Sequence, residues 1–173
     1  TTGTVASTSS ACVDATSLRC TGASATLDVV ECAAWRAGYD AMGGERWTRC
    51  SDKRDDPCGC NSDFLRSIVC VRSVASERRR LSNALHITDV RVHNNGLAGV
   101  LPSSWSAFVF IAYLDLSRNA LTGALPAEWA SMKLLQVIQL QDNRITGELP
   151  PSWKSLTMVT HMTLHGNAFT TGC

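Results

Sequence analysis

The 173-residue chain offers its densest chemistry in eight cysteines, seven of which, Cys12, Cys20, Cys32, Cys50, Cys58, Cys60 and Cys70, crowd into its N-terminal part. Thiols this crowded serve either a metal or cross-links. The set Cys50, Cys58, Cys60 and Cys70 could hold zinc, yet it lacks the paired C-x-x-C spacing of a four-thiolate site, so disulfides are the expected use. Disulfides persist where the surroundings are oxidising, which places the chain outside the cytosol. The preferred pairs are Cys12 with Cys20, and Cys70 with either Cys58 or Cys60; Cys173 has no local partner.

Other reactive groups are sparse. His161 and His165 lie on one side of a single expected strand, four positions apart at about 3.3 Å per residue, too far for one metal ion. Arg78, Arg79 and Arg80 form a run read as a solvated loop rather than a heparin contact or a cleavage site. No Ser/His/Asp set, carboxylate pair or glycine-rich phosphate loop can be placed with the mutual geometry catalysis needs, so no enzymatic activity, metal or cofactor is expected. Sixteen basic against fifteen acidic residues leave a net charge of +1, too little to draw the chain to nucleic acid. No apolar run is long enough to span a membrane. The opening "TTGTVAS" has neither an initiator Met nor a signal sequence and reads as mature sequence, any anchor having been removed or lying beyond Cys173.

Around these groups the chain divides into three parts. Residues 1–26 are rich in Ser, Thr, Ala and Gly and read as an arm stapled by its cysteines. Residues 27–86 read as a cysteine-rich cap, with an amphipathic helix whose inward face is Leu27, Val30, Ala34, Ala37 and Ala41, stopped by Gly43 and Gly44. A polar cysteine loop, a short strand at Ile68 to Val71 and a second strand entered at Ile87 complete it.

Residues 87–173 are periodic. The pattern LxxLxLxxN recurs at one fixed spacing, at Ile87, Val90, Val92, Asn95; Ile111, Leu114, Leu116, Asn119; Leu135, Ile138, Leu140, Asn143; and Val159, Met162, Leu164, Asn167. A period of this length marks a solenoid, in which one strand and a return segment form each coil and neighbouring coils share a core. Asn ends each strand and is expected to bond backbone groups of adjacent coils. Gly99, Gly123 and Gly147 are expected at a bend with positive φ or close approach. Trp105, Trp129 and Trp153, each followed three positions later by Phe108, Met132 or Leu156, suit one inward-facing helical turn, with the indole N–H bonded to backbone.

Alternation along the strands leaves one face open. Its expected columns are Asp89, Tyr113, Val137, His161; Arg91, Asp115, Gln139, Thr163; and His93, Ser117, Gln141, His165. These side chains, free of core packing, are the candidate ligand-binding surface. Four strands span only roughly 14 Å, small beside a standard interface of about 800 Å² per partner.

The repeat LxxLxLxxNxLTGxLPxxW resembles the plant-type subclass of extracellular leucine-rich repeats, found in plant receptor kinases and polygalacturonase-inhibiting proteins. The likeness covers Ile87 to Asn167, and "ECAAWRAGYDAMGGERWTRC" with "SIVC" is similar to the N-terminal cap of that subclass. Tryptophan at 105, 129 and 153, where plant members carry Leu, is more similar to the promastigote surface antigen family of trypanosomatid parasites such as Leishmania. The array here is short and its cap carries extra cysteines. The resemblance implies an α/β solenoid with a disulfide-bonded cap, and a secreted or cell-surface protein, GPI-anchored through a precursor tail, that contacts host molecules. Its partner would be an extracellular protein or glycan, bound at the open face. A secreted-enzyme inhibitor or a plant-type receptor ectodomain would use the same face, and a self-associating coat protein would use the free strand edge after Met162.

Overall fold

The computed structural model describes residues 19–60, 67–72 and 84–170. Its helix α1 (Val29–Ala41) is followed by nine strands: β1 (Ile68–Arg72), β2 (Leu85–Arg91), β3 (Ala98–Val100), β4 (Tyr113–Asp115), β5 (Ala120–Thr122), β6 (Val137–Gln139), β7 (Thr146–Gly147), β8 (His161–Thr163) and β9 (Ala168–Phe169). The main sheet runs β1-β2-β4-β6-β8. The last four strands are parallel, while β1 joins antiparallel with a register shift between Val69 and Cys70. The sequence period therefore becomes one strand of this sheet per coil. Short parallel pairs, β3 with β5 and β7 with β9, add a second line of backbone bonding across the coils.

Each coil buries what its sequence repeats. Ile87, Val90, Val92, Ile111, Leu114, Leu116, Leu135, Ile138 and Leu140 are wholly buried. The return segments are 3-10 turns, Ser103–Ala107, Ala127–Ser131 and Pro151–Ser155, with Trp105, Trp129 and Trp153 turned inward. Their rings stack, Trp105 on Trp129 at 6.4 Å and Trp129 on Trp153 at 6.1 Å between centroids. Trp129 and Trp153 donate from Nε1 to the carbonyls of Pro102 and Pro126, each at 2.9 Å. Trp105 departs from the expected pattern: its Nε1 is buried without a partner. The coil that would supply a proline carbonyl is replaced there by α1, whose Trp35 stacks on Trp105 at 5.9 Å.

The asparagines knit the coils together. Asn119 Oδ1 accepts from the amides of Asn95 and Leu97, and its Nδ2 donates to the carbonyls of Val92, Leu116 and Ser117. Asn143 and Asn167 repeat this one and two coils on. Gly123 and Gly147 turn the chain at φ 77° and 79°, in the region closed to most side chains.

The cap differs from the sequence reading in two ways. Asp28 begins α1 by accepting from the amides of Val30 and Glu31, but the buried face is Glu31, Cys32, Ala34, Trp35, Gly38 and Tyr39. Val30 is 61% exposed and Ala37 is also on the surface. The Trp35 stack and a disulfide at Cys32 turn the helix about its axis, and of the expected face Leu27 and Ala34 stay buried.

The second correction is the pairing of Cys20. It bonds Cys32, not Cys12. Thr21 donates its amide to Asp55 O, and Ser24 donates both its amide and its hydroxyl to Asp56 Oδ1, which seats residues 19–26 on the cap and brings Cys20 to the first turn of α1. Among the described residues the other bonds are Cys50–Cys60 and Cys58–Cys70. Cys12, Cys173 and Arg78 to Arg80 lie outside the described residues.

Candidate binding surface

Strand register sets the open face. Asp89 pairs with Tyr113, Tyr113 with Val137 and Val137 with His161; Arg91, Asp115, Gln139 and Thr163 form the neighbouring column in the same way. His93, Ser117, Gln141 and His165 follow at the strand ends. With β1 the sheet has five strands and is about 19 Å wide, one strand more than the repeats alone supply.

The side chains on this face bond to one another. Arg91 donates from Nη2 to Asp89 Oδ1 at 2.6 Å, and its guanidinium lies 4.2 Å from the centre of the Tyr113 ring. Tyr113 in turn donates its hydroxyl to Gln139 Oε1 at 3.1 Å, and Thr163 donates to Gln141 Oε1 at 2.7 Å. Rotamers fixed in this way lose less entropy on binding. Arg91, His161 and His165 are exposed, and Tyr113, Val137, Gln139, Gln141 and Thr163 half-buried.

Asp115 and Ser117 do not belong with the free side chains. Asp115 is 8% exposed, and its Oδ1 accepts from the amide and hydroxyl of Ser117, closing the turn after β4. Its Oδ2 lies 3.1 Å from His93 Nδ1. The sequence pattern assigns both to the open face by alternation alone, and alternation carries no information about a turn-closing bond.

One column escaped the sequence reading. Phe110, Leu134 and Met158, one repeat apart, each stand just before the first apolar residue of a repeat and are 38%, 46% and 49% exposed. His86 is the equivalent residue of the first repeat, and its ring centre is 4.2 Å from that of Phe110. The signal was present in their regular spacing, but it sits outside the LxxLxLxxN frame.

His86 also ties this edge to the cap. Its Nδ1 is 2.9 Å from Glu31 Oε1, while Glu31 Oε2 accepts from the amide of Ile87 at 2.8 Å. Burial pushes the Glu31 carboxyl above its ordinary range, against the opposing pull of the Ile87 amide and His86. The cleft of about 460 Å³ beside the C-terminal end of α1 brings in the carboxylates Asp40 and Glu45. Asp40 accepts from Arg54 Nε and Nη2, and these bonds hold its carboxyl below the usual carboxylate range. Among the described residues no cluster of His, Cys, Asp and Glu could hold a metal ion, and no helix is long and apolar enough to cross a membrane.

A family model for the leucine-rich repeat matches residues 111–132 and 134–156, two of the four coils seen in the sheet register. The fold is a leucine-rich-repeat solenoid. Among solved structures it is similar to the leucine-rich-repeat ectodomain of the receptor kinase SOBIR1 from Arabidopsis thaliana, with a TM-score of 0.60 and 22% identity over 83% of this chain and 70% of that one. It is similar also to the PEPR1-AtPEP1 structure, with a TM-score of 0.64 and 16% identity over 82% of this chain and only 18% of that one. The BIR2 ectodomain from Arabidopsis thaliana aligns over 85% of this chain and 84% of its own at 17% identity and a TM-score of 0.49. No curated protein matches the sequence.

Proposed function

We propose that this chain is a non-enzymatic extracellular recognition module that binds a protein partner across its five-stranded face. The observation that carries the reading is the Asp89–Arg91–Tyr113–Gln139 network, a pre-positioned arginine and tyrosine at the sheet surface that the core does not require. Arg and Tyr are the types most enriched among interface hot spots. The apolar column of Phe110, Leu134 and Met158 runs alongside and favours a protein over a glycan, since exposed apolar side chains in series gain most from an apolar counterpart. Three disulfides support an oxidising, extracellular setting.

The finer reading is a parasite surface antigen that contacts host molecules, and the tryptophan column is what supports it. The test presents the chain as bait to an arrayed panel of host extracellular ectodomains, with Arg91→Ala and Tyr113→Ala beside the unaltered protein. A specific hit lost in both variants is the expected result. A hit that both variants keep removes the open face from the reading.

A further inference from the structure

The columns of the open face contain two carboxylates, Asp89 and Asp115, and each is recessed beside a base that stands further out. The Arg91 side chain is 47% exposed against 18% for Asp89, and that of His93 is 38% exposed against 11% for Asp115. The carboxylate oxygens are also occupied. Asp89 Oδ1 accepts from Arg91 and its Oδ2 from the Thr88 hydroxyl at 2.9 Å. Asp115 Oδ1 accepts from the amide and hydroxyl of Ser117, while its Oδ2 faces His93 Nδ1. An approaching molecule meets the bases before it meets the acids.

Arg91 is the permanent cation of the face. It donates from Nη2 to Asp89, and its remaining N–H groups have no acceptor among the described residues. The stack on Tyr113 restricts the plane of the guanidinium, whose free edge suits the two-point contact that arginine makes with a carboxylate. His93 is two positions on and on the same side of the chain, roughly 6.6 Å away at about 3.3 Å per residue. Its Nδ1 is buried against Asp115, so Nε2 is the nitrogen left for a ligand. In the neutral ring with its proton on Nδ1, Nε2 accepts; in the protonated ring it donates. The charged groups that face this residue are Asp115, Arg91 and Arg49 of the cap, whose Nη2 donates to the His93 carbonyl at 2.6 Å. Both bases and both acids sit on or just after β2 and β4, which have β1 on one side and β6 on the other.

We propose that the open face takes an acidic segment of a partner protein in extended form, one carboxylate on Arg91 and the carboxylate two residues along on His93. This rests on the reading of that face as the binding surface and names the chemistry it selects. An extended chain puts alternate side chains on one side at about 6.6 Å, the spacing of the two bases. A sulfated glycan fits less well, because such chains are held by runs of Lys and Arg, and among the three columns Arg91 stands alone.

The test titrates a synthetic peptide of alternating Glu and Ser into the isotope-labelled whole chain and follows backbone and arginine side-chain resonances. Shifts are expected at Arg91, His93 and Tyr113, with affinity falling at least about tenfold in Arg91→Gln and partly restored in Arg91→Lys. A peptide with Lys in place of Glu should not bind. One with two Ser between successive Glu should bind more weakly, since its carboxylates fall out of step with the bases. Lowering the pH from about 7.5 to about 6 should tighten the Glu-Ser peptide, and the gain should vanish in His93→Gln. His161 and His165 do not supply it, being roughly 14 Å away across the strand spacings and beyond the screening length of about 8 Å. Equal binding of the Lys peptide, binding that survives Arg91→Gln, or heparin held at Arg91 more tightly than the Glu-Ser peptide overturns the proposal. So does a Glu-Ser peptide that fails to bind at millimolar concentration. A captured partner lost in both Arg91→Ala and Tyr113→Ala but indifferent to salt overturns the acidic segment alone, whereas a partner kept by both variants removes the open face itself.

Discussion

Gly38 of α1 lies against the indole of Trp105, and a Cβ at that position would overlap the ring at Nε1. The missing side chain is what lets the helix take the place of a repeat, with Trp35 as the first ring of the tryptophan stack. Alanine is the better helix former by about 1 kcal/mol, but overpacking a filled core costs about 1–3 kcal/mol. Gly38→Ala is therefore expected to lower the melting temperature, and calorimetry showing stabilisation instead would mean that the cap is not docked this closely.

The interlock also marks where the sequence stops being readable. Columns such as Val90, Leu114, Ile138 and Met162 were legible because each is repeated in register, and a tryptophan in coil after coil announces its own stack. The face of α1 was not, because Glu31 and Gly38 are buried only through distant partners, the amide of Ile87 and the indole of Trp105. Cys20 gave no sign of choosing Cys32, since the choice depends on Asp55 and Asp56 holding Thr21 and Ser24. On the open face, position identified the columns, but only the geometry separates Arg91, exposed at the surface, from Asp115, which closes a turn.

Asn119→Ala removes five hydrogen bonds that tie two coils, leaving buried amides and carbonyls unpaired. At about 1–3 kcal/mol for such a group, the expected loss is at least about 2 kcal/mol in chemical unfolding. The residue before each ladder asparagine matters for another reason. Asn94, Arg118 and Asp142 take φ of 45°, 55° and 57°, and Gly166 takes 67°. Asn94→Ala should accordingly cost about 1 kcal/mol, while Arg118→Gly should gain about 0.5 kcal/mol by relieving left-handed strain. A destabilised Arg118→Gly protein would show that strain is not what this position carries.

Reduction of the disulfides is expected to free the cap. Cys20–Cys32 and Cys58–Cys70 each close a sequence separation of 12 and Cys50–Cys60 one of 10. For loops of this size a bond contributes about 3 kcal/mol. Hydrogen exchange should then quicken first in α1 and in Ile68–Arg72, which Cys58–Cys70 ties to the cap. Unchanged protection at Ile68–Arg72 after full reduction would show that β1 is held by its pairing with β2 alone.

Glu31 gives the fold a pH dependence of definite sign. Burial raises its carboxyl above the ordinary value of 4.5, so the folded protein holds this proton more tightly than the unfolded chain. The stability it contributes is complete below about pH 4.5 and is lost as pH rises through the higher folded value. Glu31→Gln keeps an acceptor for the Ile87 amide without the charge, and leaves His86 and Asp28 in place in both proteins. Urea unfolding at a series of pH values from mildly acidic to neutral should find the variant gaining on the unaltered protein as pH rises. A gap that narrows with pH would reverse the sign assigned here.

If the open face binds as proposed, it and the column beside it should make separable contributions. Arg91 and Tyr113 are held by each other rather than by the core, so Arg91→Ala should cost the fold no more than about 1 kcal/mol, the worth of an exposed cation–π contact. Against a captured partner, loss of such a residue costs about 2 kcal/mol or more, roughly thirtyfold in affinity. Leu134→Ser, in the middle of the apolar column, removes surface that is already 46% exposed, and should weaken the same partner while leaving the melting temperature nearly unchanged. Glu128 is exposed on a return segment and belongs to neither set, and Glu128→Ala should bind normally. Surface plasmon resonance with the four proteins decides it: affinity lost in Arg91→Ala but kept in Leu134→Ser confines the partner to the sheet. Loss in Glu128→Ala alone moves the site to the convex side and removes the basis for assigning it to the strands.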